Sequence, residues 1–258
     1  MRSAEEKFYR ARVIRRDDVS PDLWKIKLDP GGKYEFVAGQ FATLGCQTPQ
    51  KLVERAYSIV SSPYEPELEF FLELVPAGAL TPVLYKLQVG DDISLRKIPK
   101  GRFTLDLKSG HRNHLLLCTV TGVAPYVSYI RTLHEDWKEK RFPADLHLYL
   151  IDAASRSWEL GYRQELERIA AAVPWLAYVP TVSRPHEDTA WKGEIGRVED
   201  IVRKYTDRWK LTGADTTGYL CGHPQMIEIG RGILLRLGFA EQFLKQEVFW
   251  IPPKSLRR

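Results

Sequence analysis

The chain has 258 residues, 44% apolar and 28% charged, the make-up of an ordinary globular protein with room for two modest domains. No apolar run approaches the roughly 20 residues needed to span a bilayer, and Met1–Lys7 has no apolar signal core, so no membrane association and a cytoplasmic location are expected. The net charge of +5 suits an acidic protein partner or a phosphorylated cofactor; there is no basic block with interleaved aromatics to bind nucleic acid, and Cys46, Cys118 and Cys221 have neither metal-ligand spacing nor an even count for a disulfide framework, so no metal is expected.

The first hundred residues read as strands. Phe8–Val13 alternates Phe8, Arg10 and Arg12 against Tyr9, Ala11 and Val13, and Leu23–Leu28 alternates likewise. Further short runs follow at Phe41–Leu44, Ala56–Val60, Leu68–Leu74, Ile93–Leu95 and Phe103–Leu105, separated by the turn signals Asp29-Pro30-Gly31-Gly32, Ser62-Pro63, Gly90-Asp91 and Lys100-Gly101. About six strands so spaced predict an antiparallel β-barrel, with one brief helix near Leu80–Leu87.

After Gly110 the period changes. Strand Leu115–Thr119 meets a helix from Ala124 to about Glu139, with Val127, Ile130, Leu133 and Trp137 on one face. Strand Leu146–Ile151 precedes helix Tyr162–Ala172, strand Leu176–Val182 precedes helix Val198–Tyr205, and strand Tyr219–Cys221 precedes helix Pro224–Leu237, stopped by Gly238. The alternation predicts a doubly wound parallel sheet. The boundary lies near Ser109–Arg112, giving a β-barrel domain over 1–108 and an α/β domain over 109–258.

Four segments carry chemistry. In Arg55-Ala56-Tyr57-Ser58, strand alternation puts Arg55 and Tyr57 on one face. A flat ring joined to a pyrophosphate needs an aromatic plane and a fork-shaped cation, which Tyr57 and Arg55 can supply. Read alone, the same pattern also fits a strand with an exposed arginine and a core tyrosine. Gly78-Ala79-Leu80-Thr81 is a glycine turn opening a helix, whose N–H groups and Thr81 hydroxyl suit a pyrophosphate; an ordinary capped helix looks the same. Thr121-Gly122-Val123-Ala124-Pro125 follows a strand and opens a helix with proline in its first turn, and Cys221-Gly222-His223-Pro224-Gln225-Met226 ends a later strand. Ser183-Arg184 ends another strand, so three segments meet one sheet edge, where doubly wound folds bind nucleotides.

Together, from about Phe8 to Trp250, these segments resemble the bacterial branch of the ferredoxin–NADP reductase family. The resemblance implies an FAD-dependent enzyme that moves electrons between NADP(H) and ferredoxin or flavodoxin. It places Arg55, Ala56, Tyr57, Ser58, Phe71, Gly78, Ala79, Leu80, Thr81, Thr121, Phe249 and Trp250 around FAD. It places Thr121, Gly122, Ser155, Arg156, Ser183, Arg184, Arg197, Cys221, Gly222, Pro224, Gln225 and Met226 around NADP(H), with Gly222 letting the nicotinamide approach. Ser58, Cys221 and Glu247 then have catalytic places. Arg184 and Arg197 match the family's 2′-phosphate clamp, while Ser155 stands where a third arginine is usual, with Arg156 one residue along. The family carries glycine where Val120 stands; a β-branched residue resists positive φ, so an ordinary loop conformation is expected here. Ile251–Arg258 extends past the pattern. Rival readings are a flavin reductase subunit of an oxygenase or larger electron-transfer complex, and a flavin- or nucleotide-binding module without turnover.

Overall fold

The computed structural model of the chain describes residues 7–47 and 51–249. Two compact units emerge: Met1–Leu105 with Ala124–Lys140, and Asp106–Val123 with Arg141–Arg258.

The first unit is built on six strands: β1 (Phe8–Asp18), β2 (Leu23–Asp29), β3 (Phe41–Gln47), β4 (Leu52–Ser58), β5 (Leu68–Glu73) and β6 (Asp92–Arg96). Their order is β4-β3-β6-β1-β2-β5, with every neighbouring pair antiparallel. Just past β4, the Val60 N–H donates to the Glu69 carbonyl of β5 at 2.9 Å, drawing the two outer strands together as a barrel requires. Alternation explains the interior: Ala11, Val13, Ile26, Leu28, Phe70 and Leu72 point inward and are buried.

Phe103–Leu105 is not a strand, contrary to expectation. Phe41 and Lys100 exchange two backbone hydrogen bonds (2.8 and 3.0 Å), after which Gly101, at φ +110°, turns the chain away. The brief helix α1 (Thr81–Leu84) is a single turn, shorter than expected. Arg16 Nη1 takes up the carbonyls of Tyr85 and Leu87 at 2.5 and 2.9 Å, satisfying groups that a longer helix would have used.

Helix α2 (Ala124–Lys138) belongs to this unit. Its Arg131 meets Glu69 at 3.2 Å, and Ser128 Oγ donates to the Ser61 carbonyl at 2.7 Å. Val127, Ile130 and Leu133 are buried as the period predicts; Trp137 is exposed, so the apolar stripe ends a turn early.

The second unit is a parallel sheet in the order β10-β9-β8-β7-β11-β12. Its strands are β7 (Asn113–Thr119), β8 (His147–Ala154), β9 (Leu176–Val182), β10 (Glu194–Ile195), β11 (Thr216–Gly222) and β12 (Leu244–Val248); β10 and β12 were not foreseen. Helices α3 (Arg163–Ala172), α4 (Val198–Arg208) and α5 (Pro224–Arg236) alternate with them, and Gly238 at φ +86° follows α5. Val198, Ile201 and Val202 of α4 and Met226, Ile227 and Leu234 of α5 share a core with Leu115, Leu117 and Ile151. The chain runs outward from β7 to β10, then returns to β11 on the other side of β7. The switch point is therefore the crevice between the carboxyl ends of β7 and β11.

His114 and Asp152 are among the titratable groups buried in this sheet. His114 Nδ1 lies 3.0 Å from Tyr219 Oη, its Nε2 has no partner among the described residues, and burial pushes its pKa down to about 4. Asp152 accepts from Tyr178 Oη at 3.0 Å and from Cys118 Sγ at 3.4 Å, and burial raises it to about 6.

Candidate functional site

On the barrel, the register of β4 against β3 sets Arg55 opposite Leu44 and Tyr57 opposite Ala42. Tyr57 is half-buried against the barrel core, and burial holds its phenol well above the ordinary range, so it is a neutral ring. Arg55 is exposed, and its Nη1 donates to the Glu54 carbonyl at 2.7 Å. Ala56 is exposed and Ser58 buried. Phe71 is buried on the face of β5 opposite Phe70.

The 78–81 loop differs from its reading in one respect. Thr81 Oγ1 accepts from the Val75 N–H at 3.0 Å and donates to the Val75 carbonyl at 3.2 Å. The hydroxyl closes the turn and does not face outward for a phosphate. Gly78 is needed for the same closure, since a Cβ there would sit 2.9 Å from the Val75 oxygen. Leu80 is buried in the barrel core, so only its backbone can meet a ligand. The N–H groups of Ala79, Leu80 and Thr81 have no acceptor among the described residues. A neutral ring face, a fork-shaped cation two residues away and a set of open N–H donors make a fit to a flavin and its pyrophosphate. Phe249 is exposed past β12; Trp250, the other aromatic assigned to the flavin, and the 251–258 tail lie outside the described residues.

At the switch point the backbone is packed to contact. A Cβ on Gly122 would lie 2.3 Å from the Cys221 carbonyl oxygen, and one on Gly222 (φ +124°) would lie 2.4 Å from Thr119 Oγ1. Both glycines are required by the approach of one loop to the next strand, whatever a ligand needs. Thr119 Oγ1 also accepts from the His223 N–H at 2.9 Å. Val120 contradicts the expected ordinary conformation: it sits at φ +47°, opening the 3-10 turn Val120–Val123 that carries Thr121. Such a residue carries strain on the order of 1–3 kcal/mol. The offset is packing, because the Val120 side chain lies against the cluster of Ala154, Leu160, Val182 and Trp191.

Cys221 is fully buried, opposite Cys118 in β7 and Glu247 in β12. Burial, with the Glu247 charge adding to it, holds its thiol protonated far above the usual range, so it is no nucleophile. His223 caps α5, its Nδ1 accepting from the Gln225 N–H at 3.2 Å, and Pro224 occupies the first turn. Gln225 is exposed, while Met226 is buried in the sheet core and offers a ligand only its backbone.

The loops after β8, β9 and β10 share the same carboxyl edge. The Ser155 and Arg156 N–H groups both donate to Glu159 Oε2, at 2.8 and 3.1 Å. Ser183 and Arg184 N–H donate to the carbonyls of Ala154 and Ser155, each at 3.0 Å, stitching two loops together. Arg156 meets Glu159 Oε1 at 3.0 Å through Nη1 and Glu187 Oε2 at 2.7 Å through Nε, with a second bond from Nη2 to Glu187. Arg184 Nη1 lies 3.5 Å from Glu187 Oε1, and Arg197 is exposed, 3.9 Å from Glu199. Hydrogen bonds from Arg156 hold Glu187 below the usual carboxylate range. Glu159 and Glu187 were missed from sequence, although each stands three residues after its arginine. Among the described residues no group of three His, Cys, Asp or Glu side chains is placed to hold a metal, and no helix is long and apolar enough to cross a membrane.

Residues 10–105 match the oxidoreductase FAD-binding domain family and residues 116–231 the oxidoreductase NAD-binding domain family. The chain is 34% identical over 199 residues to the flavodoxin/ferredoxin–NADP reductase of Escherichia coli (strain K12), covering 74% of this chain and 76% of that one. It is 29% identical to the phenol hydroxylase P5 protein of Acinetobacter pittii (strain PHEA-2), covering 93% of this chain and 65% of that one. The crystal structure of a ferredoxin NADP+ reductase from Neisseria gonorrhoeae with bound FAD and NADP superposes with a TM-score of 0.81 at 25% identity, over 95% of this chain and 99% of that one. The two matched domains, the relative at 34% identity and the shared fold together show that the chain belongs to the ferredoxin–NADP reductase family of FAD-dependent oxidoreductases.

Proposed function

We propose that this chain takes reducing equivalents from NADPH and passes electrons to a small acidic carrier of the ferredoxin or flavodoxin type. The observation that carries this reading is the collection of Arg156, Arg184 and Arg197, on the loops after three neighbouring strands, at the same sheet edge as the tight Gly122 and Gly222 loops. Residues 1–108 serve as the FAD domain and 109–258 as the NADP(H) domain, supported by the family matches over 10–105 and 116–231. The three buried free thiols fit a reducing compartment such as the cytoplasm.

When bound, FAD supplies hydride acceptance and one-electron release, chemistry that side chains do not offer. Arg55 and the open N–H groups at 79–81 hold the pyrophosphate, and Tyr57 gives the ring a neutral face. On the barrel, Ala56, Ser58 and Phe71 complete the flavin surroundings, with the Ser58 hydroxyl toward the reactive ring. Thr121 and Gly122 meet the nucleotide pyrophosphate through backbone N–H groups, and Ser155, Arg156, Ser183, Arg184 and Arg197 read its phosphorylated ribose. Gly222, Pro224, Gln225 and Met226 give the nicotinamide a backbone floor. Cys221 stays a neutral thiol because it is fully buried, with Glu247 opposite it in the paired strand adding to the effect, so it serves by packing and not by attack.

The test is purification and turnover. The protein is expected to be yellow, to release FAD and not FMN on denaturation, and to reduce ferricyanide with NADPH. A colourless protein that takes up no FAD overturns the reading, and an FAD-bound protein without turnover makes it a binding module. A second reading, an oxygenase electron-transfer component, is favoured by the likeness to the phenol hydroxylase P5 protein across 93% of this chain. Preference for an oxygenase iron–sulfur protein over ferredoxin and flavodoxin in an acceptor panel selects it.

A further inference from the structure

The loops after β8 and β9 contain a carboxylate where the proposed function needs a place for a phosphate. Glu187 splits its two oxygens: Oε2 bonds Arg156 Nε at 2.7 Å and Oε1 lies 3.5 Å from Arg184 Nη1. The second acid, Glu159, is differently committed. Its Oε2 accepts two backbone N–H groups and its Oε1 holds Arg156 Nη1 at 3.0 Å, so it belongs to the loop's framework. The side chains of Arg156, Glu187 and Arg184 are 27%, 33% and 53% exposed, open enough for a ligand to reach.

The two arginines and two glutamates balance in charge, and the His186 ring, its Nε2 also 3.5 Å from Glu187 Oε1, adds no charge when neutral. A 2′-phosphate must therefore enter a neutral cluster and displace the Glu187 carboxylate to bridge both guanidinium groups. An unphosphorylated ribose needs no such displacement, because its two hydroxyls can donate to the carboxylate where it stands. We propose that Glu187 is a specificity-determining residue that lowers the preference for NADPH over NADH by holding Arg156 and Arg184 in competition with the 2′-phosphate. This rests on the reading that the adenosine ribose is recognised at this edge.

The test compares wild type, Glu187→Gln, Glu187→Asp and Arg184→Ala in the FAD-loaded enzyme at one ionic strength. Calorimetry gives the Kd of 2′,5′-ADP and of 5′-ADP, and steady-state kinetics give kcat/KM for NADPH and NADH. Removing one opposing charge in Glu187→Gln is expected to tighten 2′,5′-ADP relative to 5′-ADP by about tenfold, and to raise the NADPH:NADH ratio of kcat/KM by a similar factor. Glu187→Asp keeps the charge and is expected to stay within about twofold of wild type. If Glu187→Gln leaves both ratios unchanged while Arg184→Ala lowers them, the clamp stands and the role of Glu187 is overturned. If Arg184→Ala leaves them unchanged as well, the ribose is read elsewhere, which overturns the role of Glu187 together with the clamp. A shift in Glu187→Asp as large as in Glu187→Gln refutes the charge account.

Discussion

The two candidate sites hold their cations in opposite ways. Among the described residues, the exposed Arg55 on the barrel bonds only a backbone carbonyl, whereas Arg156 and Arg184 at the sheet edge are engaged by Glu187 before any ligand arrives. Among the described residues, a phosphate reaching Arg55 meets no competing carboxylate; one reaching the sheet edge exchanges with Glu187. The first arrangement suits a group that binds and stays, the second a substrate that comes and goes at metabolite concentrations. The supporting backbone differs too. Gly78 closes a turn with its own loop, while Gly122 and Gly222 are wedged against neighbouring strand ends.

The largest effect is expected from that wedge. Gly122→Ala drives a methyl into a backbone carbonyl and should cost about 3 kcal/mol or more, lowering Tm by roughly 6–12 °C in a thermal melt, whereas Gly78→Ala should cost less because its turn can open toward solvent. Equal melting temperatures for Gly122→Ala and wild type would erase the structural half of the comparison.

Next comes the barrel cation. Arg55→Ala should weaken FAD by about 1.5–3 kcal/mol, the scale of a charge-assisted hydrogen bond, seen as flavin lost on dialysis and recovered by added FAD. Unchanged retention would mean that the pyrophosphate is held by the 79–81 backbone alone.

Acid then acts within the second unit, where the buried His114 and Asp152 lie. His114 has a folded pKa of about 4, below its unfolded value, so its neutral burial favours the folded state at neutral pH and opposes it as pH falls below about 6.5. Asp152, raised to about 6, acts the other way: the folded state takes up its proton first and gains relative stability as pH falls from about 6 toward 4. His114→Gln removes the first contribution and should leave the protein about 2 kcal/mol less acid-sensitive than wild type between pH 7.5 and 5, read from urea midpoints. Parallel pH profiles for the two proteins would refute it.

The smallest change should follow Cys221→Ala. Flavin content should stay the same while stopped-flow reduction by NADPH slows severalfold, since a buried neutral thiol contributes packing and not bond chemistry. An unaltered rate removes Cys221 from the site.

Much of this was legible because period and motif spacing are local properties. The alternation in β1 and β2, the apolar run of β7 and the 3.6-residue stripe of α2 each reported their burial directly. What escaped depended on partners distant in sequence. β12 is an edge strand, with Lys245, Gln246 and Glu247 partly or fully exposed, so it lacks the apolar run of a central strand. β10 is two residues long, too short for any pattern. Phe103–Leu105 has the composition of a strand, but Gly101 takes it off the sheet. The left-handed Val120 was invisible because intrinsic preference argues against it, and the side-chain cluster that compensates is drawn from two later strands and two later loops. Thr81 was read as a ligand group because its commitment to Val75 is a feature of loop closure. The two Arg-x-x-Glu pairs were present in the sequence; their meaning needed β8 and β9 to be neighbours.

Helix α2 sets an order for biogenesis. The chain passes between units at 105/106, 123/124 and 140/141, so a ribosome releasing it from the N-terminus exposes all six barrel strands before the helix that completes their unit. Until residue 140 has emerged, Glu69 lacks Arg131 and the Ser61 carbonyl lacks Ser128. The nascent barrel must wait, with β5 incompletely covered, while the first strand of the other unit is made. A fragment ending at 108 freezes that stage, and it is expected to aggregate where a circular permutant that keeps 124–140 beside the barrel does not.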